Sequence, residues 1–162
     1  MRVVLQRVSS AHVTIAGRVA GQIGRGLLVF VGIESADTGA DGDWLAQKIV
    51  KLRIFADDAG QMNWSLLDLV ASEVSSPSSV LRPLMLVISQ FTLHASTRKG
   101  ARPSFNAAAQ SGHARPLYEQ FIQQLTATLG RPVATGEFGA LMDVSLVNDG
   151  PVTLVIDSKL RE

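Results

Sequence analysis

A chain of 162 residues is long enough for one domain with a sizeable core, and 46% hydrophobic against 18% charged residues excludes a disordered chain. It contains no cysteine, which excludes a disulfide framework, a thiolate zinc site and a cysteine nucleophile together. A net charge of +1 excludes a general polyanion binder, but Val74–Tyr118 holds no Asp or Glu while carrying Arg82, Arg98, Lys99, Arg102 and Arg115. Such a stretch is either a modest phosphate-contacting surface or a solvated face.

The first third reads as strands. Residues 2–6 are mostly apolar, with the apolar run too short for a signal-peptide core. Ala11, Val13 and Ile15 alternate with polar neighbours, and Ala16-Gly17 is a turn candidate, so 10–24 is expected to form a hairpin. Gly26–Ile33 is a continuous apolar run, as in a strand buried on both faces. It is also too short to cross a bilayer, so the chain reads as soluble and cytoplasmic, with no membrane partner.

Leu45, Ile49 and Leu52 share one helical face, with Asp41 or Asp43 as the expected cap. Arg53-Ile54-Phe55 is extended, Asp57-Asp58-Ala59-Gly60 is a turn, and residues 65–82 read either as a hairpin or as a short helix around a Ser/Pro loop. Leu84–Ile88 is a buried strand and Thr97–Pro103 a loop. Leu117, Tyr118, Phe121, Ile122, Leu125 and Leu129 then form one stripe, which predicts a helix over about 114–129, stopped by Gly130-Arg131-Pro132. Strands are expected at 133–137, 143–147 and 152–156, the last two separated by a turn at Asn148-Asp149-Gly150-Pro151. The expected fold is α+β: one compact domain over 1–162, with a mostly antiparallel, barrel-like sheet and two main helices.

Familiar catalytic motifs are missing. His12, His94 and His113 have no metal-ligand spacing, and no G-x-S-x-G, Walker or G-x-G-x-x-G pattern occurs, so neither a metal nor a cofactor is expected. Two segments remain. Ser89-Gln90-Phe91-Thr92-Leu93 leaves a buried strand with two hydroxyls, an amide and backbone N–H groups that could bind an oxyanion, or that could merely satisfy local backbone. In Asn148-Asp149-Gly150-Pro151-Val152-Thr153 the Gly-Pro bond, read alone, is an ordinary trans turn, because only ~5–6% of X-Pro bonds in folded proteins are cis.

Together these two segments resemble the signature motifs of the D-aminoacyl-tRNA deacylases. Further matching segments run along the chain: Gln6-Arg7-Val8, Arg53-Ile54-Phe55, Met62-Asn63, Lys99-Gly100, Arg102-Pro103-Ser104-Phe105, Phe138-Gly139 and Met142 before Val144-Ser145-Leu146-Val147. Leu66–Arg82 looks longer than the equivalent stretch of compact bacterial members, and His94-Ala95-Ser96 stands where some members carry another residue.

The resemblance implies a homodimer acting on the aminoacylated 3′ end of tRNA, without a cofactor or metal. Ser89, Gln90, Phe91 and Thr92 would line one subunit's catalytic pocket, and a cis Gly150-Pro151 from the other would receive the substrate's α-amino group and exclude L-residues. Arg7 would hold that loop, Phe138 and Met142 would line the terminal adenosine pocket, and Arg98, Lys99 and Arg102 would contact tRNA phosphates. Glycyl-tRNA mischarged on tRNA(Ala) would also be cleaved. Thr92 could be the nucleophile, but the ribose 2′-OH beside the ester offers substrate assistance, the favoured route. Two rivals are a small-molecule serine esterase using Ser89 with His94, and a non-catalytic RNA-binding module using the 98–102 loop, which by sequence lacks stacking aromatics.

Overall fold

The computed structural model describes residues 1–74 and 82–161. The longest elements are antiparallel partners. β1 (Arg2–Ile15) runs its whole length beside β8 (Asp143–Asp157), and on its other edge pairs β3 (Gly26–Gly32) through its first half and β2 (Arg18–Ile23) through its second. A tight turn at Ala16 and Gly17, both with positive φ, makes the expected hairpin.

β3 then pairs in parallel with β6 (Met85–Ser89), and β6 with the two-residue β7 (Ala134–Thr135). The path β2-β1-β3-β6-β7 curls until its two end strands abut. A Cβ on Gly21 of β2 would lie 2.5 Å from the Thr135 carbonyl oxygen of β7, so only a glycine permits this approach. The sheet is therefore mixed, mostly antiparallel and almost closed.

The apolar run of β3 explains the two cores. Successive side chains point to opposite faces. Leu27, Val29 and Val31 meet the helices, packing with Leu45, Ile49, Phe121 and Leu125, while Leu28 and Phe30 face the barrel interior with Val8, Val13, Leu86 and Ile88. Burial on both faces is what an unbroken apolar strand requires. Truncating one of these buried leucines to alanine is expected to cost about 2–5 kcal/mol.

Helix α1 (Gly39–Val50) is capped differently from expectation. Thr38 is the N-cap, and Asp41 reaches back from inside the helix to accept the Thr38 N–H at 2.9 Å. Helix α2 (Leu66–Val74) settles the first part of the ambiguous 65–82 segment as a helix, and the Ser/Pro loop over 75–81 lies outside the described residues. Helix α3 (Ser111–Leu129) starts three residues before the predicted Ala114, because the extended Gln110 offers its carbonyl to the N–H groups of His113 and Ala114. Gly130, left-handed at φ 68, ends it as predicted.

The late strands also differ from the reading. β7 is shorter than 133–137, and the two strands expected around Asn148–Pro151 are one strand. Gln6 faces Thr153 and Val8 faces Asn148, so the residues between them bulge out of β8 without breaking the pairing. Among the described residues no helix is long and apolar enough to cross a membrane.

Candidate active site

Parallel pairing brings the C-terminal ends of β3 and β6 to the same end of the sheet. The Gln90 N–H bonds the Val31 carbonyl at 2.7 Å, and the chain then turns into a 3-10 helix over Phe91–His94. The N–H groups of Phe91 and Thr92 open that turn, so they have no carbonyl within it to bond.

Gly32 lies directly beneath. A Cβ there would sit 2.9 Å from the Leu93 Cβ and 3.0 Å from the Gln90 oxygen. The turn rests on bare backbone, and this fixes where Phe91 and Thr92 stand.

A cavity of about 580 Å³ opens beside this turn. Ser89, Gln90 and Phe91 line it, together with Gln110 at the cap of α3, Ser111 and Ala114 within α3, and Phe138 and Met142 from the segment after β7. Phe138 is held by the Tyr118 ring at 5.7 Å and by the Arg115 guanidinium 5.3 Å over its face. Tyr118 donates from its hydroxyl to the Val87 carbonyl at 2.9 Å, and burial pushes its phenol pKa far above the usual value. It is structural, not acidic.

Among the described residues lining the cavity none is ionisable. Thr92 stands just behind them, its hydroxyl accepting a hydrogen bond from the Gln90 side-chain amide at 2.5 Å. An amide N–H cannot take a proton, so this partner orients Thr92 without activating it. His94 is buried with Nε2 unpartnered, and no hydrogen bond joins it to Ser89, which removes the geometric basis of the serine-esterase reading. His12 is exposed, the His113 Nε2 meets the Asp37 carbonyl, and among the described residues no His, Cys, Asp and Glu cluster could hold a metal.

The second motif lies elsewhere. The Gly150–Pro151 peptide is cis, and both residues are exposed on the β8 bulge. Arg7 Nε bonds both the Asp149 carbonyl and its carboxylate at 3.0 Å, and Nη1 donates to the Ile54 carbonyl. The Asn148 side chain adds a bond to the Arg7 carbonyl at 2.9 Å. Arg7 pairs with Leu27, whereas the pocket turn hangs from Val31. At ~3.3 Å per residue the bulge is about 13 Å from its own pocket along the strand axis alone.

Arg98, Lys99 and Arg102 are exposed on a finger closed at its base by the Ser96–Ser104 bridge. The structure thus gathers Ser89, Gln90, Phe91, Phe138 and Met142 around one cavity, sets Thr92 behind it, and leaves Arg7, Gly150 and Pro151 at the other end. Among the polar and aromatic lining residues, sequence reasoning misses three. Phe105 belongs to the matching Arg102-Pro103-Ser104-Phe105 segment, and its ring meets that of Phe91 at 5.2 Å. Gln110 and Ser111 give no signal, since the apolar stripe starts the helix only at about Ala114.

Comparison with known proteins identifies the family. A family model described as D-Tyr-tRNA(Tyr) deacylase matches residues 4–157. Proteins named D-aminoacyl-tRNA deacylase from Opitutus terrae and Dechloromonas aromatica are 57% and 53% identical over 162 residues, covering all of both chains, the 65–82 stretch included. Among solved structures, the c-Myc DNA Unwinding Element Binding Protein superposes with a TM-score of 0.83 at 35% identity, covering 97% of this chain and 98% of its own. A "probable eukaryotic D-amino acid tRNA deacylase" gives a TM-score of 0.78 over 96% of this chain and 97% of its own, at 17% identity, a likeness of fold alone. On the family match and the full-length identity of its relatives, this chain belongs to the D-Tyr-tRNA(Tyr) deacylase family.

Proposed function

We propose that this protein hydrolyses the ester between a D-amino acid, or glycine, and the 3′ end of tRNA, as a cytoplasmic homodimer. The observation that carries the reading is the separation just described. Pocket and bulge sit at opposite ends of one sheet, so a bulge can complete a pocket only in a second chain. A two-fold axis then forms two equal sites.

In each site the terminal adenosine packs between Phe138 and Met142, and the ester carbonyl lies at the turn over Phe91–His94. The partner supplies a wall of main chain at Gly150 and Pro151, whose carbonyl oxygens take the α-amino group. With amino group and ester both fixed, an L-residue drives its Cβ into that wall, a D-residue points away, and glycine has nothing to clash. Exclusion of this kind ignores side-chain chemistry, so many D-amino acids are accepted, along with glycine mischarged on tRNA(Ala).

The absence of ionisable groups among the described lining residues supports substrate assistance. The ribose 2′-OH helps to activate water, and the N–H groups of Phe91 and Thr92 stabilise the oxyanion. Ser89 and Gln90 shape the site, and Arg98, Lys99 and Arg102 contact phosphates. Paired deacylation of D- and L-tyrosyl-tRNA by the purified protein tests the reading: release from the D-ester alone is expected, and equal cleavage of both sinks it.

A further inference from the structure

Two aromatic rings at the mouth of the cavity are exposed with no described side chain covering them. Phe91 is 58% and Phe105 is 38% accessible, and Leu141 beside them is 95% accessible. All three border the cavity. The two rings brace each other edge to face, 5.2 Å apart and 73° between planes, so the exposed faces are held rather than free to turn.

Their place in the chain matters as much. Phe91 opens the turn at the ester site, while Phe105 directly follows the Ser96–Ser104 bridge, whose two backbone bonds measure 2.7 and 2.9 Å. That bridge closes the finger carrying Arg98, Lys99 and Arg102, in a stretch without a single Asp or Glu. Glu34, paired with Ala108, is the carboxylate that neighbouring backbone brings alongside. The aromatic pair therefore belongs at once to the cavity lining and to the base of the segment that carries the cations.

We propose that the Phe91–Phe105 pair is a stacking step for the nucleobase preceding the terminal adenosine, with the finger cations taking the phosphates beyond it. The inference rests on the tRNA reading above and names which part of the RNA the mouth receives. Single-stranded nucleic acid is held in this way elsewhere, by aromatic faces that accept any base together with cations along the backbone. A pre-braced pair suits the task because little side-chain entropy is lost on binding.

The test uses Phe105→Ala and Phe105→Trp in the full chain, with two unreacted probes. One is a fluorescent RNA trinucleotide ending CCA, the other adenosine monophosphate. Phe105→Ala is expected to weaken trinucleotide binding roughly 5- to 100-fold, the range for losing one base stack, while adenosine monophosphate binds as before. Phe105→Trp restores trinucleotide binding. Deacylation of D-tyrosyl-tRNA and of 3′-D-tyrosyl-adenosine should follow the same split, with KM rising only for the tRNA.

Equal loss on both probes would make Phe105 part of the adenosine pocket and overturn the proposal, as would no loss on either. A change of oligomeric state on gel filtration would assign the ring to a contact between copies, with the same consequence. Wild-type protein that binds the trinucleotide through Phe105 yet cleaves no D-aminoacyl ester would refute the catalytic reading and leave the stacking step standing.

Discussion

Gly32→Ala should slow the reaction while leaving the fold intact. The new methyl would lie 2.9 Å from the Leu93 Cβ, 3.0 Å from the Gln90 oxygen and 3.0 Å from the His94 Cδ2, where ordinary contacts fall at 3.4–4 Å. Relief requires the turn over Phe91–His94 to rise by about half an ångström, because β3 beneath it is held by pairing on both edges. Overpacking of this kind costs ~1–3 kcal/mol, and at this chain length ~2–4 °C of Tm is lost per kcal/mol. A misplacement of ~1 Å can cost 10²-fold in rate, so half of that predicts roughly a tenfold drop in kcat. KM should change by less than about twofold, because Phe138 and Met142 are untouched. Deacylation kinetics on D-tyrosyl-tRNA beside thermal melts will show the split. Gly24→Ala is the control, since nothing lies within 4 Å of a Cβ there. A folded Gly32→Ala protein with wild-type kcat would refute the claim that this turn holds the reacting ester.

Three further outcomes are expected. Thr92→Ala should keep at least about a tenth of the activity, since its recorded partner is an amide; a loss beyond about a thousandfold in a folded, substrate-binding variant would restore it as the nucleophile. Arg7→Ala removes the donor shared by the Asp149 and Ile54 carbonyls, so the D-to-L rate ratio should fall about tenfold or more as the wall loosens; an unchanged ratio would show that Arg7 does not hold the wall. The buried Asp41 carboxyl lies well below its usual pKa: desolvation alone would raise it, but hydrogen bonds from Lys159, Thr38 and Ser158 outweigh this. A depressed folded pKa stabilises above the unfolded value and loses that contribution as pH falls through the folded one. The stability gap between wild type and Lys159→Met, full at neutral pH, should therefore begin to narrow below about pH 4 and go on narrowing toward pH 2; denaturant melts from pH 2 to 7 showing a constant gap would contradict this.

What could be read from the chain alone follows from how local each signal is. The two-faced burial of β3 is written in seven consecutive apolar residues, and the α3 stripe in its spacing, so both were legible. The continuity of β8 was not. Asn148-Asp149-Gly150-Pro151 carries turn chemistry, and only the opposing β1 turns that stretch into a bulge inside an unbroken pairing. Thr38, Asp41 and Asp43 all suit a helix start by type, and only the extended backbone at Thr38 makes it the cap in place of the expected Asp41 or Asp43. At the site, the Ser89–Thr92 segment was identifiable by its resemblance to a family, and its separation from Gly150 and Pro151 is a property of sheet register. Phe105, Gln110 and Ser111 reach the cavity through tertiary packing, which no local pattern encodes.

The barrel meets itself at Gly21 and Thr135 by contact, while every other join in the sheet is a hydrogen-bonded ladder. A seam of that sort parts at little energetic expense, since no bond has to be broken. Just past Thr135 the chain becomes the segment bearing Phe138 and Met142. β7 itself stays tied to β6 through Val87, whose carbonyl accepts the Gly136 N–H at 3.4 Å, so the segment that walls the cavity starts from a hydrogen-bonded strand. The closure of the barrel and the shape of the cavity are thus set by one short run of chain, from Thr135 to Met142.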